Sequence, residues 1–255
     1  MEHIKTHIAN AVLTIELARP EKKNALTVAM YQAMTEAIHA ARADTTVRAL
    51  LITGQPGVFT SGNDLADFLQ HPPEGADSPV FQFMRALLDC EKPVVAAVTG
   101  AAVGIGTTLL LHCDLVYVAQ DARLLMPFVN LGLVPEFASS LLLPRLLGRV
   151  QAAEKLLLGE PFTGLEAVAL GLANQALPSA EVLAHARQVA QRFTALPPGA
   201  VCDSKRLLRA ELGERIEATI RAEGAVFAQR LMSAEAIEAF RAFFEKRRPD
   251  FSKLQ

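Results

Sequence analysis

The hydrophobic pattern changes period part-way along the chain. Two short alternating runs, "HIKTHIA" and "AVLTIEL", predict a strand hairpin with "ANA" as its turn. A charged loop, "ARPEKKNALT", follows. From Thr27, an N-cap residue type, "TVAMYQAMTEAIHAAR" places apolar side chains at helical spacing. "VRALLITG" is a near-continuous apolar strand ended by Gly54. "QPGVFTSGNDLADFL" reads as a turn, a short extended piece and a helix start, and "QHPPEGADSP" as an aperiodic, mobile surface loop. Then come a helix "VFQFMRALLDCE", a strand "KPVVAAVTG", a Gly-rich turn "GAAVGIG" opening the helix "TTLLLHC", and a strand "DLVYVA". This alternation predicts an α/β layout with buried parallel strands. After about Ala138 the strand signal disappears, and the remaining segments carry helical periodicity to the end.

Composition narrows the class. The 255 residues are 51% hydrophobic and 20% charged, which is globular, with 25 basic against 27 acidic side chains and a net charge of −2. That balance favours neither nucleic acid nor an anionic membrane as a partner. Cys90, Cys113 and Cys202 are widely spaced and read as buried thiols of a reducing cytoplasm. The six histidines form no HxxxH or HExxH pattern, so no metal site is expected. The opening residues lack the basic and apolar blocks of a signal peptide. Pro93–Leu111 has no charge and contains a GxxxG spacing, as a membrane span can. Three Gly and three Thr interrupt it, and a strand, a turn and a helix start account for it better.

Two glycine turns end buried strands and feed helix starts: "FTSGND" (Phe59 to Asp64) and "GAAVGIGTT" (Gly100 to Thr108). Backbone N–H groups converge at such turns. Either alone is explained by tight turning. Together they supply two donors for one oxygen, an oxyanion hole. The spacing Gly104-Ile-Gly106 is no dinucleotide fingerprint, because Leu109 stands where a third small residue belongs. Further on, "NLGLVPEFASSLLLPRLLG" is an apolar run with a single acid, Glu136. From spacing alone Glu136 is a solvated loop acid, a first-turn acid of the helix starting near Ser139, or a reactive group.

In order and spacing these segments resemble the crotonase family, the enoyl-CoA hydratase/isomerase superfamily, along nearly the whole chain. "LARPEKKNALT" is similar to the family's "LNRP…NAL", "FTSGNDL" to "FSAGADL", "KPVVAAVTGAAVGIG" to "KPVIAAVNGYAxGGG" and "CDLVYVAQDARL" to "CDxxxAxxxAxF". "PRLLGRVQAAEKLLLGEPFTGLEAVALGLANQAL" resembles the segment after the family's active site. The resemblance implies an α/β fold, a spiral of ββα units over residues 1–195 carrying the acyl-CoA site. It also implies a helical trimerisation region over 196–255, homotrimers or dimers of trimers, and acyl-CoA thioester substrates. Coenzyme A is then part of the substrate, and no separate cofactor is expected. The two oxyanion donors fall on the backbone N–H groups of Ser61 and Ile105.

The family hydratases use two glutamates, and both of those positions differ here: they are Thr108 and Phe128. Neither side chain is a general base at neutral pH. "PFVNLGLVPEFASS" instead resembles the "PFxxLGxxPEGxSS" stretch of the peroxisomal-type Δ3,Δ2-enoyl-CoA isomerases, in which the acid after Pro is catalytic. That acid maps onto Glu136, with Phe137 in place of the family Gly. The resemblance implies that Glu136 moves a proton from C2 to C4 of a 3-enoyl thioester. Leu65, Phe128, Leu133, Val134 and Phe137 are expected to surround it and raise its pKa. Lys22, Ala25, Leu26, Gly62, Asn63, Asp64, Leu65, Thr108, Phe128, Leu133 and Phe137 form the expected substrate surface. Asp64 is equally a helix cap, and Lys22 and Lys23 equally a solvated charge run. The acyl-tail pocket is expected along the loop from Gln70 to Ser78. The alternatives are a hydratase using Glu136 alone and a non-catalytic acyl-CoA-binding protein.

Overall fold

Strands of the first half alternate between two sheets. The computed structural model describes residues 3–72, 75 and 77–254. The hairpin β1 (Ile4–Ala9) and β2 (Val12–Leu17) turns at Asn10 and Ala11, both left-handed. Helix α1 (Val28–Ala43) starts where Thr27 accepts a hydrogen bond from Met30 N–H. Then β3 (Ala49–Thr53) joins the first sheet and β4 (Gly57–Thr60) the second, followed by α2 (Leu65–Gln70) and α3 (Pro79–Leu88). The step repeats with β5 (Val94–Val98), β6 (Gly100–Val103) and α4 (Ile105–Thr108), and again with β7 (Leu115–Ala119) and β8 (Arg123–Leu125). Each ββα turn adds one strand to each sheet, which is the expected spiral.

The first sheet has the order β1-β2-β3-β5-β7-β10 and is parallel apart from the hairpin; the second has the order β4-β6-β8-β9. All residues of β3 and β5 are buried, as their near-continuous apolar runs require. The stretch that resembled a membrane span is β5, β6, the whole of α4 and most of a 3-10 turn, Leu109–His112. No helix among the described residues is long and apolar enough to cross a membrane.

Three expectations need correction. "GAAV" is strand β6 rather than part of a turn, because it pairs with both β4 and β8. Strand β8 lacks a sequence signal of its own. The half after Ala138 is not wholly helical. Among α5 (Ser139–Leu147), α6 (Arg149–Ala153), α7 (Gly164–Ala169) and α8 (Ser179–Arg192) lie β9 (Phe162–Thr163) and β10 (Gln175–Leu177). These strands are two and three residues long, too short for a period-2 pattern. The loop read between Gln70 and Ser78 lies partly outside the described residues, at Pro73, Glu74 and Ala76.

Helices α9 (Pro198–Arg209), α10 (Gly213–Leu231) and α11 (Ala234–Phe244) complete the chain. Of these, α10 and α11 dock on the segment that carries Glu136. Gly132 (φ +70°) lets the start of α11 approach so closely that a Cβ there would lie 2.6 Å from Ala236 N. Arg230 donates to Gly132 O at 3.0 Å. The candidate acid is thus held between the spiral and its C-terminal helices.

Candidate active site

The two glycine turns touch. Gly62 has φ +88°, and a Cβ on it would lie 2.8 Å from Val103 O. The loop before α1 fixes the first turn. Asn24 donates its side-chain amide to Phe59 O (3.0 Å), Thr60 Oγ1 donates to Asn24 O (2.7 Å), and Arg19 pairs with Asp64 at 2.7 Å. Within this staple Ser61 N–H donates to Lys23 O at 3.0 Å. Its donor is occupied, which corrects the expectation for Ser61. Leu26 N–H donates to Gly62 O, and Asp64 N–H donates to Leu26 O, both at 2.8 Å. In such a parallel bridge the groups of the intervening residue face the other way. Asn63 N–H therefore points away from Leu26, and no acceptor binds it among the described residues. Ile105 N–H, at the first position of α4, is likewise without an acceptor. The available pair of donors is Asn63 and Ile105.

Glu136 is buried, 8% exposed. Its Oε1 and the Oγ1 of fully buried Thr108 have no hydrogen-bond partner. Thr108 lies near enough to favour the ionised carboxylate, though not in hydrogen-bonding geometry. Burial dominates, the charge of Glu223 adds to it, and together they push the Glu136 carboxyl from 4.5 up to about 8. Burial, then the charge of Glu136, hold the Tyr31 phenol well above its usual range. Tyr31 OH donates to Asn63 Oδ1 at 2.5 Å. Glu136 thus lies near both turns, close to Thr108 three residues after Ile105 and to Tyr31, which binds Asn63.

The backbone that aims Glu136 is strained. Phe137 and Ala138 are both left-handed, φ 56°. A non-glycine residue in that region costs about 1–3 kcal/mol, so the surroundings must enforce it. His112 Nε2 lies 2.7 Å from Phe137 O. A carbonyl only accepts, so His112 carries its proton on Nε2. Burial lowers the His112 pKa to about 3, and the ring stays neutral. It stacks on Phe137 with centroids 3.8 Å apart. Ser139 donates from N–H (3.0 Å) and from Oγ (2.6 Å) to Glu136 O. Glu223 of α10 accepts from Ala138 N–H at 2.6 Å.

The small cavity beside Glu136 is lined by Phe68 of α2, Val80, Phe81 and Met84 of α3, and Ile220, Gly224 and Phe227 of α10. It shares Phe81, Met84, Ile220 and Gly224 with an apolar cavity of about 330 Å³ between α3 and α10. These residues, with Tyr31 and Glu223, escaped the sequence reading. Their periodicity marks them only as core positions, and nothing in it says which face meets a cavity. The expected tail loop contributes Gly75 to the larger cavity.

The other expected residues fall outside the lining of the cavity beside Glu136. Phe137 packs on His112, away from the cavity lining. Asp64 is absorbed by Arg19 and by the N–H groups of Ala66 and Asp67, so it caps α2. Phe128 is buried against Gly104, where a Cβ would lie 3.9 Å from its ring. Leu133 is buried and Val134 half-buried in the loop before Glu136, and Leu65 is half-buried at the start of α2. Leu26 is buried, Ala25 half-buried, and Lys22 and Lys23 are exposed beside them. Asn130, which from the sequence could orient substrate or turn the loop, is exposed and donates to Leu158 O at 3.3 Å.

A profile of the enoyl-CoA hydratase/isomerase family matches residues 7–254. The chain belongs to that family. It is 35% identical to enoyl-CoA delta isomerase 2 of Rattus norvegicus over 242 residues, 92% of this chain and 62% of the rat protein's length. It is 33% identical to a probable enoyl-CoA hydratase of Rhodobacter capsulatus over 255 residues, covering 98% of this chain and 97% of that one. Among solved structures it is similar to OdaA of Pseudomonas aeruginosa, at 58% identity and a TM-score of 0.94, covering 95% and 99% of the two chains. Isomerases and hydratases both stand among the relatives, so the choice between reactions rests on the site.

Proposed function

We propose that the protein isomerises 3-enoyl-CoA to 2-enoyl-CoA with Glu136 as the one proton carrier. The observation that carries this reading is a single buried carboxylate with a free oxygen beside the glycine turns. The neighbouring acid, Glu223, is taken up by Ala138 and Ser140. Ionised Glu136 takes a proton from C2. The C–H electrons form the C1=C2 bond of a dienolate that keeps its C3=C4 bond, as the C1=O π electrons move to the thioester oxygen. Asn63 and Ile105 N–H stabilise that oxygen, and such donors are each worth roughly 10²–10³ in kcat. The C1=O bond then re-forms, the C1=C2 electrons become the C2=C3 bond, the C3=C4 electrons take the proton from Glu136 at C4, and the 2-enoyl thioester leaves. No atom is gained or lost, and one carboxyl on one face suffices.

Lys22 and Lys23, exposed next to Ala25 and Leu26, suit the phosphates of coenzyme A. Exposed Leu157, Leu158, Leu165, Leu207, Leu208 and Met232 suit burial in a homotrimer or a dimer of trimers, which sedimentation would establish.

A second reading, hydration of 2-enoyl-CoA, is supported by Thr108 Oγ1, a free hydroxyl that can hold a water against Glu136. Assays of wild type and Glu136→Gln on both thioesters separate the readings. Isomerisation lost in the variant supports the first. Hydration at a comparable rate in wild type favours the second. Full activity in Glu136→Gln refutes both.

A further inference from the structure

Glu223 lies on α10, between Ile220, Gly224 and Phe227, which line the cavity beside Glu136. It is buried. Its carboxylate receives three donors and offers none: Ala138 N–H at 2.6 Å, Ser140 N–H at 2.9 Å and Ser140 Oγ at 2.5 Å. Helix α5 has no side-chain cap of its own, and its N-cap residue, Ala138, is left-handed. Glu223 supplies the cap from another helix, and it binds the backbone two residues after Glu136. Burial raises the Glu223 carboxyl above its ordinary range and the three donors oppose that rise, an all-acceptor setting that suits the ionised carboxylate.

We propose that Glu223 is the positioning residue of the site, clamping the strained Phe137–Ala138 turn that aims the Glu136 carboxyl into the cavity and placing a like charge behind it. This rests on the isomerase reading above. The clamp fixes geometry, and the charge sets when Glu136 ionises. Other groups facing Glu136 do not compete for the second task. Tyr31 from α1 stays a neutral phenol, His112 behind Phe137 stays a neutral imidazole, and Thr108 from α4 is uncharged. Arg85 from α3 and Glu217 and Arg221 from α10 line the adjoining cavity, and Asp67 and His71 line another beside Leu26. The charge that acts on Glu136 is that of Glu223.

A pH profile separates clamping from charge. Isomerisation of 3-hexenoyl-CoA is followed by absorbance of the conjugated product, and kcat/KM is measured from pH 5.5 to 9.5 for wild type, Glu223→Gln and Glu223→Asp. The acidic limb reports ionisation of the essential base in the free enzyme. In Glu223→Gln the like charge is gone, so the limb is expected about one pH unit lower. The plateau is expected to fall roughly tenfold, since Gln offers one oxygen and turns an N–H donor toward donors. Glu223→Asp keeps the charge, so its limb is expected near the wild-type position. A purely structural Glu223 would lower kcat/KM by the same factor at every pH, and a limb unmoved in Glu223→Gln overturns the proposal. If that variant folds poorly, Glu223→Gln with Ala138→Gly carries the same test, because Gly removes the strain at Ala138. Glu136→Gln runs in parallel. Inactive Glu136→Gln with an unmoved limb overturns the role of Glu223 alone; active Glu136→Gln overturns the isomerase reading and this inference with it.

Discussion

Replacing Glu136 by Gln is expected to remove activity and stabilise the protein, by an amount that grows with pH. The carboxyl ionises near 4.5 in an ordinary environment and at about 8 in the folded protein, chiefly because it is buried and then because Glu223 is charged. The sign follows from proton counts. Above 4.5 the unfolded chain releases a proton that the folded chain retains, so rising pH favours unfolding. The penalty grows from about pH 4.5 to about pH 8 and is constant beyond. Each pH unit within that window is worth about 1.4 kcal/mol. The destabilisation from Glu136 is then about 1 kcal/mol at pH 5, about 3 at pH 7 and about 5 at pH 9. Gln has nearly the same shape and no charge, so the variant escapes this term. Whatever else Gln changes at the unpartnered Oε1 is independent of pH. Urea unfolding of both proteins at the three pH values measures the difference. A difference that stays flat from pH 5 to pH 9 would refute the reasoning, since it would mean that Glu136 ionises normally in the fold.

Three further outcomes are expected. Gly62→Ala forces a side chain into a φ of +88° and against Val103 O, so it should cost about 1–3 kcal/mol in unfolding experiments and lower kcat/KM by separating the two turns. In Gly224→Ala the new Cβ meets Phe81 Cζ at 2.7 Å, so the ring must move within the cavity wall; the ratio of kcat/KM for long over short 3-enoyl-CoA substrates is expected to change several-fold, with kcat on short chains little affected. Lys22→Ala should raise KM for acyl-CoA about two- to fivefold at low salt and less at high salt, with kcat unchanged, because an exposed lysine acts through screened charge.

The fold was legible where the sequence had enough residues to show a period. The hairpin, Thr27 as cap of α1, and buried β3 and β5 all follow from alternation, capping chemistry or continuous apolar runs. Strands β8, β9 and β10 did not, being two or three residues each and formed by pairing across the second sheet or at the edge of the first. Glu136 stood out because it is the one acid of an apolar run. Glu223 did not, because in "RIEATIRAEGAVFAQR" it is one of several charges on a helix, and only tertiary packing buries it. Spacing placed both glycine turns, while the resemblance put one donor on Ser61, whose N–H is taken by Lys23 O. Which N–H is free depends on Leu26 pairing across to Asn63, a contact between residues 37 apart that no local pattern encodes.

Under the proposed isomerisation, the buried acid and the clamp behind it answer one chemical demand. The C2 proton of a thioester is weakly acidic, and a carboxylate solvated by water is a poor base for it. Raising the carboxyl from 4.5 to about 8 makes Glu136 a stronger base once ionised, but leaves only about a tenth of the molecules ionised at pH 7. The best compromise between base strength and base availability lies near the working pH. Burial is the larger cause of the rise, and the charge of Glu223 adds to it. Adding a second carboxylate at Thr108 would raise Glu136 further and reduce the ionised fraction again. A site with a single working acid is therefore better served by an uncharged residue at Thr108 and by a second carboxylate held outside the cavity, its charge spread over three donors, as Glu223 is.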